Sequence, residues 1–108
     1  MVKPPQKQII TRALEIISDE SRWTCGAMAR LADNKPCGGS NPRAVRFCAA
    51  GALNRAAGEL LSQNGFYHAS EAERQVLAAN CELRGLPLVN DIEGREAVIA
   101  MFKLTLGR

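Results

Sequence analysis

The feature that most constrains this 108-residue sequence is an alanine-rich stretch near its middle, residues 43–57. Alanine is the best helix former, and apolar residues cover most sides of the helix that this stretch would form. We therefore predict a buried central helix over residues 43–57 that ends near Gly58. Ser40 or Asn41 would cap this helix, and Pro42 suits its first position.

Three further helices are predicted from apolar residues at helical spacing. A Ser-x-x-Glu capping box begins the one at Ser70, and Asn90 and Asp91 precede the last. Residues 62–69 are predicted to contain a turn, and residues 86–89 an extended segment. The predicted ranges are 6–19 for the first helix, 70–83 for the third, and from Ile92 or Arg95 to Leu106 for the last.

The segment between the first two helices is rich in turn-forming residues. Gly26 and the run over residues 33–40 interrupt any long element there. We predict a long connector with a short helical turn or strand around residues 27–32. The predicted fold is thus all-α, a compact four-helix single domain over residues 1–108, and ordered connectors of this length are often functional.

Composition limits the possible class of protein. The apolar fraction of 46% and charged fraction of 23% are typical of a folded globular domain. No apolar stretch approaches the roughly 20 residues that span a bilayer, and the first residues lack the apolar segment of a secretory signal. We expect a cytoplasmic protein without a membrane partner.

The four cysteines are expected to be free thiols in a reducing compartment. Cys25, Cys37, Cys48 and Cys81 show none of the paired spacing of structural zinc sites, so we predict no metal and no cofactor. Cys48 and Cys81 lie in helical patterns, which favours packing in the core. A Cys48 or Cys25 nucleophile activated by His68 is a weaker alternative, and we assign no catalytic residue.

The charge is unevenly distributed, although the net charge of +3 is small. The middle third of the chain is basic, which allows accessory nucleic-acid binding as a weak alternative. Gly38–Ser40, followed by Arg43 and Arg46, could also hold an anion at the start of the second helix. The charged residues of this third are Arg22, Arg30, Lys35, Arg43, Arg46 and Arg55, with Asp33 as the only acid.

Two groups of residues are candidates for a functional role. One group is polar. Convergence on one cavity would indicate a ligand site, whereas scattered side chains would indicate helix caps; the residues concerned are Asp33, Asn90, Asp91 and Arg46. Trp and Arg are enriched among interface hot spots, so an exposed pair is a candidate protein contact. The candidate polar site is Asp33, Arg43, Arg46, Asn90 and Asp91, and the candidate interface is Arg22 and Trp23.

Several short motifs resemble those of an uncharacterised group of small bacterial and phage-associated proteins, catalogued as a domain of unknown function. The resemblance covers most of the chain and is most specific at Cys-Ala-x-Gly-Ala-Leu. It implies no activity, but it marks Trp23, Asp33, Cys48, Gly51, Asn90 and Asp91 as positions of interest. The motifs are Trp23, Gly26-Ala27-Met28-Ala29, Asp33, Asn41-Pro42-x-Ala44, Cys48-Ala49-x-Gly51-Ala52-Leu53 and Leu88-x-Asn90-Asp91.

These observations favour a non-enzymatic binding or regulatory domain that acts through a protein partner or as a homodimer. The broad apolar face of the last helix would complete the core or form a dimer interface. The alternative is a small-ligand or anion-binding protein, or an enzyme, with its site near the connector and the start of the second helix.

Overall fold

The structure is a computed structural model that describes residues 2–61 and 65–108. These residues form five α-helices, one 3-10 helix and three short strands, so the expected mostly helical fold is confirmed, but a four-helix, purely α fold is wrong. In chain order the elements are α1 (Pro4–Ser18), the 3-10 helix (Glu20–Arg22), β1 (Ala29–Arg30), β2 (Pro36–Cys37), β3 (Arg46–Phe47), α2 (Ala49–Leu60), α3 (Gly65–Ala79), α4 (Leu86–Glu93) and α5 (Arg95–Thr105).

The first helix, α1, forms the main wall of the core. Its predicted apolar arc is buried and packs chiefly against α2 and α3, with further contacts to α5. Pro4 and Pro5 occupy the first turn, where a missing N–H removes no helical hydrogen bond. The buried apolar residues of α1 are Ile9, Ile10, Ala13, Leu14, Ile16 and Ile17.

The second helix, α2, is central and buried as predicted, but it begins at Ala49 instead of Arg43. The Asn-Pro pair at residues 41–42 makes a turn of the connector, in which Asn41 Oδ1 accepts the N–H of Arg43 at 2.9 Å. The helix cap is Cys48, whose Sγ accepts the N–H of Gly51. The predicted caps, Ser40 or Asn41, therefore lie seven or eight residues before the real one.

The connector over residues 19–48 contains a small antiparallel sheet in the order β2-β1-β3. Its register pairs Ala29 with Cys37 and Phe47, and Arg30 with Arg46. Ala29 and Phe47 are fully buried, whereas the arginines occupy the opposite face because side chains alternate along a strand. The predicted short element around residues 27–32 is therefore a strand, and it covers one side of the core.

Glycines allow the connector to lie directly on the first turn of α2. A Cβ at Gly51 would stand 1.8 Å from the carbonyl oxygen of Met28, closer than any real contact. A Cβ at Gly39 would likewise stand 2.5 Å from the Gly51 carbonyl oxygen. Backbone therefore meets backbone here, and both positions have room only for glycine.

The third helix, α3, begins earlier than predicted, at Gly65 instead of Ser70. Ser70 is consequently an interior helical residue and not a cap. The predicted turn at 62–69 is helix from residue 65 onward, and residues 62–64 lie outside the described part of the chain.

The segment predicted as extended, residues 86–89, is the first turn of α4. Pro87 lies in that turn, where proline is tolerated. Asn90 and Asp91 therefore lie within α4 and do not cap the last helix, which starts at the predicted Arg95. Its apolar face, Val98, Ile99, Met101 and Phe102, is buried in the core of the chain. No helix in the described residues is both long and apolar enough to cross a membrane.

Candidate functional site

The predicted polar residues separate into two clusters at the two ends of the connector. The asparagine cluster consists of Trp23, Thr24, Gly26, Asn90 and Asp91, and it joins the connector to α4. The hairpin cluster consists of Arg30, Asp33, Asn34, Arg43 and Arg46, around the β1–β2 hairpin. The five candidates therefore do not converge on a single cavity.

Asn90 is the centre of the asparagine cluster, and its side chain is fully buried. Its Oδ1 accepts the Trp23 Nε1–H at 2.8 Å and the Ala49 N–H at 3.0 Å. Its Nδ2 donates to the Thr24 carbonyl oxygen at 3.1 Å and to Asp91 Oδ1 at 3.2 Å. Both lone pairs and both N–H bonds are thus used within the fold, so Asn90 ties the connector, α2 and α4 together.

Asp91 has a similar structural role at the surface. Its Oδ1 accepts the N–H of Gly26 at 2.9 Å. Gly26 has a φ of +79°, a left-handed conformation that glycine adopts without steric cost. The carboxylate therefore fixes a tight turn of the connector.

Cys48 is the only cysteine of the four that lies buried, whereas Cys81, expected in the core, is exposed just beyond α3. Burial raises the pKa of the Cys48 thiol, although the N–H groups of Gly51 and Ala50 act in the opposite direction. Because the thiolate is the reactive form of cysteine, this environment favours an unreactive thiol. The sulfur contacts Met28 Sδ at 3.9 Å.

The proposed nucleophile partner, His68, has a different neighbour. Its Nδ1 lies 3.1 Å from Nε2 of Gln6, on the α1–α3 side of the core. Gln6 is buried, and its Oε1 has no hydrogen-bond partner. Within residues 2–61 and 65–108, no three His, Cys, Asp or Glu side chains are placed to share a metal ion.

The start of α2 has its N–H groups engaged within the protein. The Ala49 N–H donates to Asn90, the Gly51 N–H to the Cys48 sulfur, and the Ala52 N–H to the Cys48 carbonyl oxygen. An anion at this helix terminus would have to displace those bonds. Gly39 is buried against Gly51, so its backbone is not open to an anion. The predicted anion site at the start of α2 is therefore not formed by these groups.

Arg30 links the two clusters. Its Nε donates to Thr24 Oγ1 at 2.9 Å, its Nη2 to the Cys25 carbonyl oxygen at 3.1 Å, and its Nη1 to the Asn34 carbonyl oxygen at 3.0 Å. All three acceptors are neutral. The guanidinium therefore holds the two ends of the β1 segment together without losing its positive charge to a carboxylate.

Arg46 lies directly across the sheet from Arg30. Its side chain donates to Oδ1 of Asn34, again a neutral acceptor. Among the ion pairs of the described residues, none includes either arginine, so no carboxylate oxygen lies within 4.0 Å of them. Like charges placed opposite each other in a sheet destabilise it, which makes this pair electrostatically unusual.

Two more basic residues border the hairpin. Arg43 is exposed and shares a cleft of about 190 Å³ with Leu31, Ala32 and Asp33. Lys35 lies 3.9 Å from Asp33, with both side chains largely exposed. The surface around the hairpin thus carries four basic side chains, Arg30, Lys35, Arg43 and Arg46, and the single carboxylate of Asp33, so it is positively charged.

The candidate interface pair, Arg22 and Trp23, contacts the core instead of standing free. The Arg22 guanidinium lies 5.7 Å from the ring centroid of Phe47, and Arg55 lies 5.5 Å from the same ring. Trp23 is half-buried and holds Asn90 through its indole N–H. Both side chains thus fasten the connector to the helices.

Sequence reasoning missed several residues of these clusters. Arg30 was part of the basic third, but only the strand register reveals its pairing with Arg46. Asn34 has a φ of +74° in the hairpin turn, a conformation that asparagine tolerates better than most residues. The Asp33-Asn34-Lys35 sequence carried a turn signal, and a link to Arg46 could not be deduced from it.

The comparisons with known proteins identify a family. The chain belongs to a family of unknown function, DUF6197, which matches residues 1–106. No curated protein and no solved structure matches it.

Proposed function

We propose that the chain is a non-enzymatic binding domain that recognises an anionic partner through the hairpin cluster. The observation that carries this proposal is the pair Arg30 and Arg46, opposed on one face of the sheet with only neutral acceptors. A bound oxyanion would neutralise the pair and relieve the repulsion between them. Relief of this repulsion therefore adds to the binding energy of an anionic ligand.

The arrangement of the other candidate residues also supports binding over catalysis. A general base or nucleophile needs a free lone pair directed at a substrate. Asn90 uses all of its hydrogen-bonding capacity inside the fold, and Cys48 is buried with a raised pKa. Polar side chains that make all their hydrogen bonds within the fold are typical of a rigid scaffold that carries a binding surface.

Arg46 is the arginine best suited to contact a ligand. Arg30 makes three hydrogen bonds that hold the connector, whereas Arg46 has the Asn34 side chain as its partner. Exchanging a neutral amide oxygen for a charged oxyanion strengthens the hydrogen bond. Arg43, which is exposed, adds a second guanidinium.

An NMR titration with inorganic pyrophosphate tests the proposal. We expect saturable shifts confined to the backbone amides of residues 29–35 and 43–47 and to the Arg46 Nε–H. Arg46→Gln should remove most of the response, whereas Lys103→Gln, an exposed lysine on α5, should leave it unchanged. Shifts spread evenly over all basic residues, or equal in both variants, would refute a specific site.

We also propose a cellular location, an origin and a class of partner. We place the protein in the cytoplasm, we assign it a bacterial or phage origin, and we expect the anionic partner to be a macromolecule. The first two derive from the sequence and its resemblance to small bacterial and phage-associated proteins. The third derives from the spread of basic residues around the hairpin instead of in one enclosed cavity.

A further inference from the structure

We infer that the partner is a nucleic acid, held by its phosphodiester backbone without reading of the bases. This inference rests on the proposed anion-binding function and names the class of partner. It depends on three properties of the surface around the hairpin among the described residues: few exposed apolar side chains, the type and spread of its cations, and the position of the exposed aromatic rings away from its arginines.

The surface around the hairpin is a poor match for a protein partner. Protein interfaces have apolar and aromatic residues at their centre, whereas protein–nucleic acid interfaces are more polar and more positively charged. Among the large apolar side chains that are exposed in the described residues, only Val45 belongs to the connector. The others are Leu60, Phe66, Tyr67, Leu83, Leu88, Ile92 and Leu104, all on or next to helices.

The cations match a repeating polyanion. Arg43, Arg46 and Lys35 surround the hairpin on different strands and loops, so their charges are spread and not concentrated on one point. Arginine is suited to phosphate because its planar fork donates two parallel hydrogen bonds. A chain of phosphates can occupy several such positions at once, which a single carboxylate or metabolite cannot.

The same surface has no means of reading a sequence. Base recognition on single strands uses exposed aromatic rings as stacking platforms. Tyr67 lies on α3, and Phe66 of α3 lines a cavity with residues 38–40 of the connector that includes none of the arginines of the hairpin cluster. Trp23 is engaged with Asn90. Among the described residues, no helix extends from the hairpin in a way that would allow it to enter the groove of a duplex. We therefore expect similar affinity for different sequences.

Fluorescence anisotropy with a labelled 20-nucleotide DNA duplex of mixed sequence tests this inference. Three or four phosphate contacts would make the affinity fall by about 100-fold between 50 and 200 mM salt. Arg43→Gln with Arg46→Gln should remove about two contacts and reduce that fall to about 10-fold. A second duplex of unrelated sequence should bind equally well.

Arg74→Gln with Lys103→Gln is the matched control, because it removes the same charge from α3 and α5. We expect it to keep the wild-type salt dependence, and circular dichroism should show that both double variants are folded. A salt dependence that is equal in the two double variants overturns the inference. So does a marked preference for one duplex sequence.

A poly-glutamate of equal length separates this inference from the proposed function. Preferential binding of DNA supports a nucleic-acid partner. If poly-glutamate binds as tightly as DNA or more tightly, and the separate titration shows that pyrophosphate binds, the inference is overturned but the anion-binding function is kept. Failure of the wild-type protein to bind DNA, poly-glutamate and pyrophosphate overturns both.

Discussion

The helical part of the molecule and its connector are held together by different forces. The helices bury a continuous apolar cluster, to which α1 and α2 contribute most. The connector, residues 19–48, contributes fewer buried side chains to that cluster, and three more pack against it while half-buried. The buried ones are Ala29, Ala44, Phe47 and Cys48, and the half-buried ones are Trp23, Met28 and Cys37. It depends in addition on hydrogen bonds to α4 and on two close backbone contacts, at Gly51 and at Gly39. The position of the connector therefore depends on a small number of individual contacts, whereas the stability of the helices is distributed over many residues.

The largest effect on this comparison is expected from Gly51→Ala. The added methyl group would overlap the Met28 carbonyl oxygen, a backbone atom that cannot rotate away. We expect the free energy of unfolding to fall by more than about 3 kcal/mol. Urea denaturation followed by far-ultraviolet circular dichroism measures this change.

Gly58→Ala is the matched control, since it adds the same methyl group to the same helix. Nothing lies within 4 Å of a Cβ at Gly58, and alanine is favoured over glycine in a helix by about 1 kcal/mol. We expect this variant to be more stable than the wild type. Equal destabilisation by both substitutions would mean that the contact with Met28 does not hold the connector.

Asn90→Ala is expected to have the next largest effect. It leaves the Trp23 indole N–H and the Ala49 N–H without their buried acceptor, at a cost of about 2–3 kcal/mol. Trp23 is the only tryptophan, so its fluorescence reports on the connector, while circular dichroism reports on the helices. In this variant we expect the fluorescence transition to precede the dichroism transition in urea.

A second asparagine provides the comparison within the helical part. Asn80 donates from Nδ2 to the carbonyl oxygens of Val76 and Met101, and so joins α3 to α5. Asn80→Ala should cost about 1 kcal/mol with both transitions still coincident. If Asn90→Ala also kept them coincident, the connector and the helices would unfold as one unit.

The smallest effect concerns Glu73, a half-buried carboxyl group on α3. Burial raises its pKa, although the Leu86 N–H acts in the opposite direction. The Glu73 carboxyl group therefore ionises at lower pH in the unfolded state than in the folded state. Its contribution to stability declines as the pH rises through its pKa in the folded state. Glu73→Gln should raise the melting temperature at pH 7 by an amount worth less than about 1 kcal/mol, because water still screens the group.

The pH dependence provides the test of that assignment. At pH 3.5, where Glu73 is protonated in both states, the variant and the wild type should melt at the same temperature. Glu71→Gln is the control, since Glu71 is paired with Arg74 and its removal should not stabilise the protein at pH 7. A gain at pH 3.5 as large as that at pH 7 would contradict the role of charge.

The helices were predictable to the extent that local patterns decide them. The apolar spacing of residues 6–19 corresponds to α1 within two residues at its start and one at its end. The start of α2 was not predictable, because the Asn-Pro turn imitates a cap while the real one is a thiol assisted by Asn90. Interactions between residues 41 positions apart leave no local signal.

The candidate site was predictable in its residues but not in its grouping. Asn90 and Asp91 were selected as polar residues near a helix start, and they contact the distant Trp23 and Gly26. Arg46 was selected for its charge, yet its partner across the sheet follows only from a register of two-residue strands. Such short strands carry too few residues to show the alternation that identifies a sheet.

The position of Asn90 in the chain also has a consequence for biosynthesis. Its side chain completes contacts with Trp23 and Thr24, which are more than 60 residues earlier. During translation the connector therefore emerges from the ribosome before Asn90 does, and α1 and α2 can associate first. Contacts so distant in sequence are slow to form, so the attachment of the connector to α4 should be among the last steps of folding.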